Sequence, residues 1–202
     1  MGKVFTFWLA LVGTALAAGS LAVFGMRAFP DPSASPPGVM QPGALRPAWT
    51  EVKWPFLLDQ WGTGRAFACL PADCGAKIAV YIRPKIGFCN CSTGVSDAAE
   101  LERVGDTELV SPQTRPLGPG HAIKVGWMEG LSQAYRVSDA PAAERMLSIA
   151  FNDECDVVVA LATLGNGDPT MTEPMVMAFL NSKPMVLWAK KELGLEFVRR
   201  DW

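Results

Sequence analysis

The chain has 202 residues, of which 50% are hydrophobic, and 18 basic against 20 acidic side chains leave a formal net charge of −2. With a sequence pI near 5.5, it offers no broad cationic surface for nucleic acid. One histidine and five cysteines also narrow the chemistry open to it.

From Val4 to Met26 runs a stretch without a charged residue. At about 1.5 Å of rise per residue it is long enough to cross the roughly 30 Å hydrocarbon core of a bilayer, and it predicts a transmembrane anchor within residues 1–27. A cleavable signal peptide is the competing reading, with Lys3 as the positive start and Ala15-Leu16-Ala17 as the cleavage pattern. The apolar run continues past that point to Phe24. Either reading exports the remainder, and Lys3 on the cytoplasmic flank agrees with that orientation. No cysteine precedes Cys69, so there is no lipobox thiol.

Residues 28–50 hold six of the sixteen prolines, at Pro30, Pro32, Pro36, Pro37, Pro42 and Pro47. Proline fixes φ and removes a donor, so this stretch reads as an extended linker that joins no core. Residues 51–202 are the length of one ordinary domain.

Around its start stand Trp49, Trp54 and Trp61, in a proline-punctuated segment without a clear period. They read either as a strap over the core or as an interaction surface. Arg65 to Cys69, and then Ile78, Val80 and Ile82, alternate at period two and predict strands. Asp97, with Glu100 three residues on, resembles a capping box and opens a short helix through about Val104. Ile123, Val125 and Trp127 alternate toward a turn expected at Glu129-Gly130, giving a hairpin with SQAYRV. A second hairpin pairs RMLSIAFN with CDVVVALATL across Asn152-Asp153-Glu154, and the Val157-Val158-Val159 run places its return strand mid-sheet. A helix is expected to be capped by Thr172, with Glu173 and Pro174 in its first turn, and a second one runs from Met185 to Leu193 and stops at Gly194. The sum is an α+β domain, mainly antiparallel sheet with C-terminal helices.

In an oxidising compartment the five cysteines are expected to bridge. Cys69, Cys74, Cys89 and Cys91 are the disulfide candidates, as two staples joining FACLPADC to GFCNC. Cys155, distant in sequence, is the expected odd thiol. A direct Cys89–Cys91 bridge would close a very small, strained ring. The alternative is a thiol-redox or copper-handling centre at Cys89 and Cys91, with Met171, Met175, Met177 and Met185 as soft ligands. Met175 and Met177 do not share a helix face, a thioredoxin-type Cys-x-x-Cys is absent, and the spacing does not form a zinc knuckle.

His121 is the sole histidine, so any Ser–His or Cys–His mechanism must run through it. GLSQA lacks the last glycine of a nucleophile elbow, and GTGRAF has two of the three glycines of a dinucleotide fingerprint. Asp153 and Asp156 are an available carboxylate pair, better explained as turn-flanking residues. No cofactor or metal is expected.

WGTGRAFACLPADCG, YIRPKIGFCNC and FLNSKPMVLWAKKELGL together resemble uncharacterised exported proteins of proteobacteria, over most of the domain. The resemblance implies a bacterial envelope setting and no particular activity. The expectation is a non-enzymatic accessory, tethered to the inner membrane with its domain in the periplasm, or periplasmic if cleaved. Its partners would be the membrane, through the N-terminal helix, and another envelope protein.

Overall fold

Successive strand residues point to opposite faces, and in a computed structural model of the chain eight strands pair, all antiparallel, into one sheet. The structure describes residues 47–138 and 144–195, all within a unit spanning Gly43–Trp202. The expected anchor or signal segment and nearly all of the proline-rich linker lie outside the described residues. Among those described, no helix is long and apolar enough to cross a membrane.

In chain order the elements are β1 (Thr50–Val52), β2 (Arg65–Cys69), the short α1 (Pro71–Cys74), β3 (Ile78–Lys85), α2 (Ala98–Val104), a 3-10 turn at Thr107–Leu109, β4 (Thr114–Pro116), β5 (His121–Val125), β6 (Met128–Val137), β7 (Arg145–Asp153), β8 (Asp156–Thr163), α3 (Pro169–Leu180) and α4 (Lys183–Glu192). The sheet order is β1-β2-β3-β8-β7-β6-β4, with β5 sharing the outer edge of β6.

One face carries Ile78, Val80, Ile82, Leu147, Ile149 and Val158 against Val176, Leu180, Met185 and Ala189 of α3 and α4. The other places Leu131, Ala150, Val157 and Val159 against Leu101 and Val104 of α2. Strand β8, paired on both sides and covered on both faces, is apolar from Val157 to Ala162 for that reason. Each fully buried Val, Leu or Ile contributes about 1.5–3 kcal/mol.

Two expected boundaries move. The first hairpin turns at Gly126-Trp127, because Val125 pairs with Met128 and Gly126 adopts φ +61°. Gly130 lies inside β6, where a Cβ would stand 2.0 Å from the Ala150 carbonyl oxygen, so close approach of the neighbouring strand explains it and not a turn. The penultimate helix starts at Pro169, capped by Asp168, whose carboxylate accepts from the Thr170 N–H. Proline at the first helical position is pre-organised for a helix start. Pro174 falls inside α3.

Candidate functional site

The strap is built by aromatic packing onto both faces of the sheet. Trp49 stacks on Phe179 of α3 with ring centroids 4.5 Å apart. Past β1 the chain reaches the α2 side, where Trp54 packs edge-on to Phe56 and Tyr81 at 5.3 and 6.1 Å, and Trp61 meets Phe88 at 4.5 Å. Gly64 lets Trp54 lie there: a Cβ on it would come within 2.7 Å of the Trp54 ring and 2.3 Å of the Ile82 carbonyl oxygen. Strap packing accounts for that glycine of GTGRAF, and β2 rather than a helix follows it.

All three tryptophans, read from the sequence as a strap or as an interaction surface, thus pack on aromatic rings of the domain. The most exposed large apolar residues of the strap are Leu57, 91% exposed, and Leu58, 74% exposed. Nothing in the sequence separated these two from the apolar residues around them, because the segment lacks a period.

Beneath the strap lies a buried charge network. Arg83, 2% exposed, donates from Nε and Nη2 to both Asp106 carboxylate oxygens at 2.7 Å. Its Nη1 donates to Asp59 of the strap at 2.8 Å and to the Gly62 carbonyl at 3.3 Å. Lys85 Nζ pairs with Asp106 at 2.7 Å and donates to the Val104 carbonyl at the end of α2. Two cations and two carboxylates balance, and the planar guanidinium fork suits two-sided bidentate binding. Burial pushes the Asp59 carboxyl up, but the Arg83 guanidinium and the Trp61 N–H outweigh it and hold the group below its ordinary value. The strap is therefore pinned at Asp59, immediately after the leucine pair.

Next to Trp61 and Phe88 begins the Cys-x-Cys loop, and here the expected bridges are corrected. Cys69 pairs with Cys74 across α1, and Cys91 pairs with Cys155, 64 residues away. Cys155 is not the odd thiol; Cys89 is. The physical reason is the register of the second hairpin. Its two-residue turn, Glu154-Cys155, reaches the loop, where the Cys89 N–H donates to the Cys155 carbonyl at 3.1 Å, and the Cys91 and Cys155 Cα atoms lie 4.2 Å apart. The Cys89 thiol donates to the Glu154 carbonyl at 3.2 Å. Burial, and then the charges of Glu100 and Asp156, push it up to about 11. A thiol held protonated is a weak nucleophile and a weak soft-metal ligand. Two disulfides belong to an oxidising, extracytoplasmic compartment.

The remaining candidates disperse. Ser132 of GLSQA donates to Glu173, and His121 Nε2 meets the same carboxylate oxygen at 3.2 Å. Glu173 thus stands between serine and histidine, so the hydroxyl is held by the carboxylate and His121 does not address it directly. Asp153 and Asp156 pair across the hairpin end, with Asp156 accepting from the Gly87 N–H at 2.7 Å. Met185 is buried, Met175 and Met177 pack against the same core, and Met171 is exposed. Among the described residues no cluster of three or more His, Cys, Asp and Glu could hold a metal ion.

No protein-family model matches the chain, and no curated protein matches it. Among solved structures it is similar to a protein of unknown function from Pseudomonas aeruginosa at TM-score 0.39 and 14% identity, covering 68% of this chain and 95% of that one. It is also similar to the cyanobacterial PsbP, CyanoP, of Synechocystis at TM-score 0.40 and 14% identity, covering 64% of this chain and 76% of that one. At these scores neither likeness bears on function.

Proposed function

We propose that the chain is a non-enzymatic accessory of the bacterial envelope. Residues 1–27 hold it at the inner membrane, the proline-rich linker spaces it, and the disulfide-stapled domain docks onto another envelope protein. The observation that carries this reading is the leucine pair: Leu57 and Leu58 are exposed on a segment fixed at both sides, by Trp54 under it and by Asp59 on Arg83. Two adjacent exposed leucines on a pinned loop are costly to leave in water, and a contiguous apolar exposure of this kind supports a docking role. The resemblance to exported proteobacterial proteins and the two bridges support the envelope setting.

A protein partner is preferred over the lipid headgroup layer because Lys53 is the one cation from residue 51 to 61 and Asp59 follows the leucines. A loop without a basic cluster lacks the electrostatic attraction that strengthens binding to anionic membranes. The test is the double substitution L57D with L58D in the full chain, expressed in its own envelope. Because both side chains are exposed, the melting temperature should stay within a few degrees. The parent should run in a high-mass complex on native gels of solubilised membranes, and the double variant should not. An unchanged complex would refute the docking role.

A further inference from the structure

The register of β4, β6 and β7 creates a feature that spacing along the chain does not reveal. Arg115 of β4 is the direct cross-strand partner of Arg136 of β6, and Arg136 is the direct partner of Arg145 of β7. Residues directly opposite point to the same face, so three arginines stand side by side across three strands, on the face from which α3 rises. At about 4.8 Å between strands the row extends roughly 10 Å. Like charges directly opposite destabilise a sheet, and among the described residues none of the three has an ion-pair partner.

The row is also concave. Arg136 and Arg145 line a pocket of about 440 Å³ together with His121, Leu117, Thr170 and Glu173, and Arg115 shares an adjoining hollow with Arg136. Two carboxylates stand at the same pocket, and both are engaged elsewhere. Asp168 accepts from the Thr170 N–H and hydroxyl as the cap of α3, while its charge also feels Arg145. Glu173 accepts from Ser132 and meets His121. Since Asp168 already fills the end of α3, the guanidinium groups must carry the recognition.

We infer that Arg115, Arg136 and Arg145 form a binding site for a phosphate-bearing anion, separate from the leucine strap. Planar guanidinium forks bind phosphate oxygens bidentately, and a row of three suits a phosphate ester or a diphosphate better than one carboxylate, which a single fork satisfies. Neutralising the row removes the repulsion between opposed cations.

The test is thermal unfolding of the full chain against inorganic phosphate and pyrophosphate, with sodium chloride at matched ionic strength. A second arm uses the chain in bilayer discs of phosphatidylcholine alone or with phosphatidylglycerol, to tell a free phosphate compound from a lipid headgroup. At tenfold excess over Kd the melting temperature should rise by about 3–6 °C in at least one arm, beyond any effect of chloride or phosphatidylcholine. The variant R136Q should abolish that rise and, without ligand, melt at the same temperature as the parent or higher, because an unneutralised like-charge contact has gone. No rise in either arm, an equal rise with chloride, or a rise that survives R136Q would overturn the site. So would a lower melting temperature of ligand-free R136Q, which would mean that the arginines already have an internal partner.

Discussion

Arg83 shows how one side chain decides a local architecture. It sits at 2% exposure only because Asp106 and Asp59 take its donors from two sides; removing one member of such a buried pair typically costs about 3–5 kcal/mol, since a desolvated charge is left behind. R83M leaves Asp106 still paired with Lys85, so its cost should sit at the low end, about 3 kcal/mol by urea denaturation. D106N leaves Lys85 without a carboxylate and Arg83 with Asp59 alone, and should cost more. Equal stability for either variant would show that the network is not what holds the strap. At Cys89 the raised thiol, at about 11, predicts that alkylation of the native protein climbs about tenfold per pH unit from pH 7 to 9, whereas the unfolded chain levels off near its ordinary thiol value of about 8.5. Because this pKa is raised on folding, the protonated thiol stabilises below the unfolded value, and that contribution is lost as pH rises toward 11. Labelling at pH 7 as fast as in denaturant would contradict the buried, protonated thiol.

Among the elements, the strap has its own pH dependence. The Asp59 carboxyl is held below its ordinary value, so the unfolded state binds the proton more readily. Its contribution is complete above about pH 4–5, the region above the unfolded value, and is lost as pH falls through the folded value. Tryptophan emission should therefore report loosening of Trp54 and Trp61 below about pH 4, and D59N should show the loosened spectrum at neutral pH. An acid transition unaltered in D59N would place the trigger elsewhere.

Strands β2, β3, β7 and β8 and helix α2 were legible in the sequence, because period two and the Asp97 cap are local signals; Asp97 does accept from the Glu100 N–H. The turn at Gly126 and the start of α3 were misplaced where two local patterns competed, Glu129-Gly130 against Gly126-Trp127 and Thr172 against Asp168-Pro169. Packing settled the first, because Gly130 is needed where the Ala150 carbonyl approaches, and the Asp168 cap settled the second. The short β1, β4 and α1 carry too few residues for any period to show.

At the scale of the whole molecule, cross-chain pairing was the illegible part. Cys91 finds Cys155, and Arg115, Arg136 and Arg145 find one another, only through sheet register. The exposed leucines, likewise, are set apart from the tryptophans only by which rings find partners. In the chain-entropy account, a bridge closing about 64 residues contributes about 4 kcal/mol, and one closing a turn as short as Cys69–Cys74 about 2 kcal/mol. C91S should therefore destabilise the domain more than C69S, by roughly 2 kcal/mol in urea midpoints converted to free energy. The reverse order would mean that Cys91–Cys155 is not the native pairing.

The docking claim at the centre of this account is tested most directly by a photo-crosslinking amino acid placed at position 57 of the full chain in intact cells, with position 187 of α4, also exposed, as the comparison. The account predicts one discrete protein adduct at position 57 and none at 187. No adduct at 57, or the same adducts at both positions, would contradict it.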